Sequence, residues 1–177
     1  MVSAAIAYEE LAAHDGDVLR RLVQIMDAHS DTEEFRNAIG GARGKARTLR
    51  ILMEMARWPD DARSGPHDHP TWHYAGRPLV DRRQMPAKQP IDEVSDPALQ
   101  AFAHQATLAA DTRTPKAERA IAWCWVFHLV GDIHQPLHAA DLYSRTFPDG
   151  DRGGSRFFVL DPRTKQPTTL HAYWDDA

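Results

Sequence analysis

The sequence predicts a mainly α, single-domain protein with a short β-hairpin near its C-terminus. Three observations predict it. Apolar residues recur at helical spacing through much of the first 135 residues, cap and stop residues mark several of the ends, and two short β-type runs fall only after residue 155. A chain of 177 residues, 42% hydrophobic and 26% charged, is long enough to bury a core of its own, and is read as one unit over residues 1–177.

Taken in order, residues 3–14 place Ile6, Ala7 and Leu11 on one face of a first helix. Residues 16–28 place Val18, Leu19, Leu22, Val23 and Ile25 on a second. Asp31, with Glu34 three positions on, has the form of a capping box, and opens a short helix that Gly40-Gly41 stops. A further helix covers 44–57 through Leu49, Leu52, Met53 and Met55, and Trp58-Pro59-Asp60 ends it. From about 59 to 93 a stretch rich in Pro and Gly shows no regular period; a loop of that length within a compact domain is usually functional or disordered. Asp96-Pro97 joins an N-cap to a first-turn proline, so a helix follows to about residue 110. The next starts near Pro115 and runs through AERAIAWCWVFHLVGDIHQ to Gln135. Being apolar nearly all round, it is expected to be central and covered on most sides. Pro136 has no backbone N–H and ends or bends that helix. Residues 141–154 read as a polar loop closing on Gly153-Gly154, after which RFFVLD (156–161) and TTLHA (168–172) pair as a hairpin. There is no internal repeat and no low-complexity tract.

Composition narrows the function classes. No run approaches the roughly 18 apolar residues of a membrane span. The opening MVSAAIAYEE lacks the basic leader and apolar length of a signal peptide. The single cysteine, Cys124, excludes an intramolecular disulfide and a Cys-rich zinc site, and its setting in AWCWVF predicts buried packing. A formal charge of −4 argues against a basic groove as the main route to nucleic acid. That tally omits bound metal, and divalent ions would concentrate positive charge at one spot.

The clustering of the ten histidines carries the chemistry. In HLVGDIHQPLH (128–138), His128 and Asp132 stand one helical turn apart on one face of an otherwise apolar helix. A buried carboxylate beside imidazoles is costly unless something pairs with it, and zinc takes both donor types at about 2.0–2.2 Å. A structural His–Asp ion pair is the simpler alternative for these two residues alone. His138, and then His171 and Asp175 at the same four-residue spacing in LHAYWDD, weigh toward a metal. Asp60 by itself reads more readily as a surface or turn aspartate than as a ligand. HDHPTWHY offers His67, His69 and His73, of which His73 is set apart by its aromatic neighbours Trp72 and Tyr74.

These motifs, together with DRGGS (151–155) and the order Trp-x-Asp, aromatic-flanked His, His-x3-Asp-x5-His, Leu-His-x3-Asp, resemble the zinc-dependent single-strand nucleases of the S1/P1 type. The likeness spans nearly the whole chain and is strongest over 123–175. It implies a helical bundle of the phospholipase C and single-strand nuclease type holding up to three zinc ions. Asp60, His73, His128 and Asp132 match the ligands of the first, with Asp132 bridging to a close neighbour. His138, His171 and Asp175 match those of the more distant ion. Arg63 matches a basic group that contacts phosphate beside the metals, so that Asp60, Arg63 and Asp132 are the implied catalytic residues. Tyr74 matches an aromatic that stacks on a base, its other reading being a wall or core aromatic. His134 matches no ligand and is taken as a supporting or packing residue.

The implied activity is endonucleolytic hydrolysis of single-stranded DNA or RNA to 5′-phosphate ends, by a monomer without a protein partner; 3′-nucleotidase activity is left open. The pattern departs from the family at Gly76, often acidic or amide, and at Ser155, usually Asn. The N-terminal Trp, the Gly-His pair and the C-terminal helices that family members carry are also missing, so truncation at both ends is expected. Family members are normally exported, and location is left open here. A zinc phospholipase C-like phosphodiesterase and a metal-binding module without activity are the alternatives.

Overall fold

A computed structural model describes residues 2–81, 83 and 96–176. The chain forms two compact units, Met1–Pro70 with Gln100–Gly131 and Thr71–Leu99 with Asp132–Ala177. The protein is mainly α, as the periodicity predicts.

The first unit is helical. In α1 (Val2–His14) the inward stripe is Ala4, Tyr8 and Leu11, and Ile6 is exposed, contrary to the face expected from sequence. The helix packs on α4 and α2, and small Ala4 allows a close approach there. In α2 (Gly16–Met26) Leu19, Leu22, Ile25 and Met26 turn inward, and the Asp15 side chain caps its start by accepting from the Val18 N–H. α3 (Thr32–Ile39) starts at Asp31, which accepts from the Glu34 N–H, but the reciprocal half of a capping box does not form. The Asp31 N–H goes to His29 instead, and Glu34 goes to Arg57. Gly40 ends α3 at φ +54, a conformation open to glycine without a Cβ penalty.

α4 (Gly44–Asp61) runs through Pro59 rather than ending before it. The proline sits in the last turn, where only one helical hydrogen bond is forfeited, and the Ala62 N–H still reaches the Trp58 carbonyl at 2.9 Å. Burial of Trp58 and Pro59 holds the turn in place. α5 (Pro97–Ala110) begins at Asp96, which accepts from the Leu99 N–H as expected. Along α6 (Lys116–His134) no residue from Arg119 to Ile133 is exposed, which explains its all-round apolarity. Cys124 is fully buried there, and burial pushes its thiol pKa well up, so its role is packing.

The second unit carries short elements. After Gln135, whose side chain accepts from the Leu137 N–H, Pro136 opens a single turn, α7 (Pro136–Ala139). The chain then enters β2 (Ala140–Tyr143), which pairs in parallel with β1 (Arg77–Val80), Arg77 opposite Ala140 and Val80 opposite Tyr143. Both strands fall where sequence reading gave irregular chain. RPLV contains a proline and only two large apolar residues, and a parallel partner far along the chain leaves no local period. The end of the irregular stretch expected over 59–93 lies outside the described residues. The expected hairpin forms from β3 (Phe158–Leu160) and β4 (Pro167–Thr169), with Val159 opposite Thr168, and β4 passes directly into α8 (Leu170–Asp175). Among the described residues no helix is long and apolar enough to cross a membrane.

Candidate metal centre

In the second unit, α7 delivers His138 and α8 delivers His171 and Asp175 to one place. The two imidazoles stack with centroids 4.9 Å apart and planes 11° from parallel. Each is held from behind: the His138 Nδ1–H donates to the His73 carbonyl at 2.9 Å, and the His171 Nδ1–H to the Gly153 carbonyl at 2.8 Å. That fixes the tautomer and leaves both Nε2 lone pairs facing Asp175, at 3.7 Å for His138 and 3.4 Å for His171. Two donors on one zinc at tetrahedral angles stand about 3.3–3.6 Å apart, so this spacing suits ligands sharing an ion. The three ligand atoms lie within 4.8 Å of one another. Gln135 steadies Asp175 by donating from Nε2 to Oδ1 at 2.9 Å. Two imidazole nitrogens and one carboxylate, with Asp175 open to solvent, are a donor set able to hold a divalent ion.

Asp132 and His73 are buried beside this group. The His73 Nδ1–H donates to Asp132 Oδ2 at 3.0 Å, and Asp132 Oδ1 lies 3.4 Å from His138 Nδ1, so one carboxylate sits between two imidazoles. Tyr74 is 45% exposed, with its ring 4.9 Å from that of His138. A cavity of about 440 Å³ opens there, lined by Tyr74, His138 and the 149–155 loop among others.

In the first unit, the Pro59-containing turn of α4 presents Asp60 to His128. His128 repeats the anchoring pattern: its Nδ1–H donates to the Ala56 carbonyl at 2.8 Å, and Nε2 lies 3.9 Å from Asp60 Oδ1. Trp125 stands edge-on to the buried imidazole. Arg63 reaches Asp60 Oδ1 at 3.6 Å with its side chain well exposed, free to meet an anion from solvent. His134 is exposed at the end of α6, separated from His138 by the break at Pro136.

Sequence reading passed over three supports: Gln135 behind Asp175, and Gly153 and Asp141 behind His171. The Gly153 N–H donates to Asp141 Oδ1 while its carbonyl receives His171. A Cβ on Gly153 would fall 2.1 Å from the Leu137 carbonyl oxygen, and the double glycine in DRGGS was the visible signal of that close approach. A third carboxylate group, Glu34, Glu54 and Asp61, also converges within 4.8 Å. It already has its cation, because Arg57 pairs with all three at 2.9, 3.0 and 2.8 Å. Desolvation nevertheless raises the Glu54 carboxyl pKa above its ordinary value.

The chain is mainly helical and carries anchored imidazoles and carboxylates in groups able to hold a divalent metal. Its sequence matches the family model described as S1/P1 Nuclease over residues 1–177, and the chain belongs to that family. Comparison with curated proteins gave no match. Membership makes the protein a nuclease in general terms: a metal-dependent hydrolase of phosphodiester bonds, with nucleic acid as substrate.

Proposed function

We propose that the protein is a zinc-dependent endonuclease that cuts single-stranded DNA or RNA and leaves 5′-phosphate ends. The observation that carries this reading is the His138–His171–Asp175 group, in which both imidazoles are locked from behind with their free nitrogens toward one carboxylate. These three residues are proposed to hold one ion. Asp60, His73, His128 and Asp132 are proposed to hold a second, with Asp132 shared with a third close by. Zinc held there supplies Lewis acidity toward water and toward the phosphate oxygens.

The chain's own residues do the remaining work. Arg63, exposed beside Asp60, binds a phosphate oxygen and offsets its charge. Exposed Tyr74 stacks on a base. Stacking of that kind requires a base splayed out of its helix, which favours single strands over duplex. With a formal charge of −4, the protein is expected to depend only shallowly on salt when it binds its substrate.

The test is metal content and cleavage of denatured DNA, wild type against Asp132→Ala. The variant is expected to lose at least one zinc per chain and to cut at least about 100-fold more slowly. Full metal content and full activity in Asp132→Ala would remove the shared-ligand role. Turnover of a short-chain phosphatidylcholine without cleavage of denatured DNA would favour the phospholipase-like alternative.

A further inference from the structure

We infer that the N-terminal half of α4 is an anchoring site for the phosphate backbone of a long single strand, with Arg43, Arg47 and Arg50 as its contacts. The inference rests on the nuclease reading and adds a second point of attachment for the substrate, apart from the metal groups. Between Glu34 and Glu54 the sequence holds five cations, Arg36, Arg43, Lys45, Arg47 and Arg50, and no carboxylate, in a chain of formal charge −4. All are exposed except Arg47, which is half-buried. None of the five forms an ion pair among the described residues, whereas Arg57, further along the same helix, pairs with three carboxylates.

Helical spacing gathers three of them. The Arg47 N–H bonds to the Arg43 carbonyl at 3.4 Å, so positions 43, 47 and 50 share one face of α4. Arg50 donates from Nη1 to the Ile39 carbonyl at 2.9 Å, which sets this stripe beside the last turn of α3, where Arg36 stands. Like charges at such spacing repel, and they sit where the aligned peptides of α4 already make the potential positive. The first turn of α4 has no acidic residue to offset this. A polyanion from outside would offset it, and nucleic acid, the substrate of the family, is one. At 1.5 Å per residue Arg50 and Arg43 lie about 15 and 25 Å along the helix from Asp60, on the order of four to eight stacked nucleotides. Positions 54 and 61 continue the same face, and there Glu54 and Asp61, with Glu34 beside them, carry the opposite charge. A strand is therefore held at two points and loops between them rather than tracking a continuous basic groove. Holding one end raises the local concentration of the scissile phosphate for strands long enough to span the gap, and does nothing for shorter ones. The shallow salt dependence expected from the overall charge is then the behaviour of strands too short to reach the stripe.

The experiment measures kcat and KM, per phosphodiester, of the zinc-loaded full chain on oligothymidylates of four and of about 40 nucleotides. For wild type, log KM of the long strand is expected to rise more steeply with log salt, by about 2 in slope, since three contacts contribute roughly 0.7 each. Arg43→Gln with Arg47→Gln leaves the Arg50 bond to Ile39 in place. This variant is expected to raise the long-strand KM by about 5- to 10-fold, with kcat and the short-strand KM within about 2-fold of wild type. Arg43→Lys with Arg47→Lys keeps the charge and should keep the long-strand KM. Equal salt slopes for the two lengths in wild type overturn the inference, as does a glutamine variant that melts like wild type and shifts both KM values alike. A glutamine variant that loses only its binding to phosphatidylserine vesicles assigns the stripe to a lipid surface and overturns it too. Should the glutamine variant fail to fold, the wild-type salt slopes decide. Cleavage of both lengths with no difference between them overturns the anchoring site alone, and no cleavage of either overturns the function on which it rests.

Discussion

Gly153 does two things with one peptide. Its carbonyl fixes the His171 tautomer and its N–H fixes the Asp141 carboxylate, and it does both at φ +55 with the Leu137 carbonyl where a Cβ would be. Alanine there must push the 149–155 loop away from α7 and take the His171 anchor with it. Gly153→Ala is expected to lose about one zinc per chain and 10- to 100-fold in cleavage, with the far-ultraviolet circular dichroism preserved. Full zinc retention would show that the anchor is dispensable. The sequence displayed the double glycine but not its purpose, because its partners are the Leu137 carbonyl and the His171 ring, contributed by two other elements. The proposed ligands are easier to pick out in the sequence, since His128, Asp132, His171 and Asp175 repeat a one-turn spacing within their own segments.

Elements were legible where their cause was local. The Asp15, Asp31 and Asp96 caps act on the helix that each precedes; the last two were read from the sequence, and Asp15 was passed over. The β1–β2 pair was not, because its register depends on two strands with the whole of α5 and α6 between them. The extension of α4 past Pro59 was also hidden: it depends on burial of Trp58, against which His29 packs edge-on at 4.6 Å. His29 holds α2, α3 and α4 together, tilted against Phe35 and accepting from the Asp31 N–H. Its Nε2 is buried without a partner among the described residues. Burial lowers its pKa to about 4, with Asp31 opposing and His67 adding to the shift. The unfolded chain therefore binds this proton more readily than the folded one. Stability from this group is complete above about pH 6.5 and is lost as pH falls toward 4, on the order of 3 kcal/mol. Denaturant melts between pH 7 and 4.5 should show the decline, and His29→Phe should flatten it; equal slopes would assign the acid sensitivity elsewhere.

For the molecule as a whole, the ligand groups concentrate carboxylates and imidazoles in a chain already at −4, so bound divalent cations relieve repulsion as well as supply chemistry. Ions that bind only the folded state stabilise it by mass action. Chelation with EDTA is thus expected to lower the melting temperature by about 5–10 °C for one site held at 100 times its dissociation constant. An unchanged melting curve would mean that no ion contributes to folding. The anchors of His128, His138 and His171 carry one more consequence. All three are peptide oxygens, of Ala56, His73 and Gly153. What orients these rings is therefore the path of the main chain, and the side chain at position 56 matters through its place in the buried core rather than through any contact of its own with the ring. Substitutions that spare the chain's course should spare the metal; those that reroute it, however conservative on paper, should not.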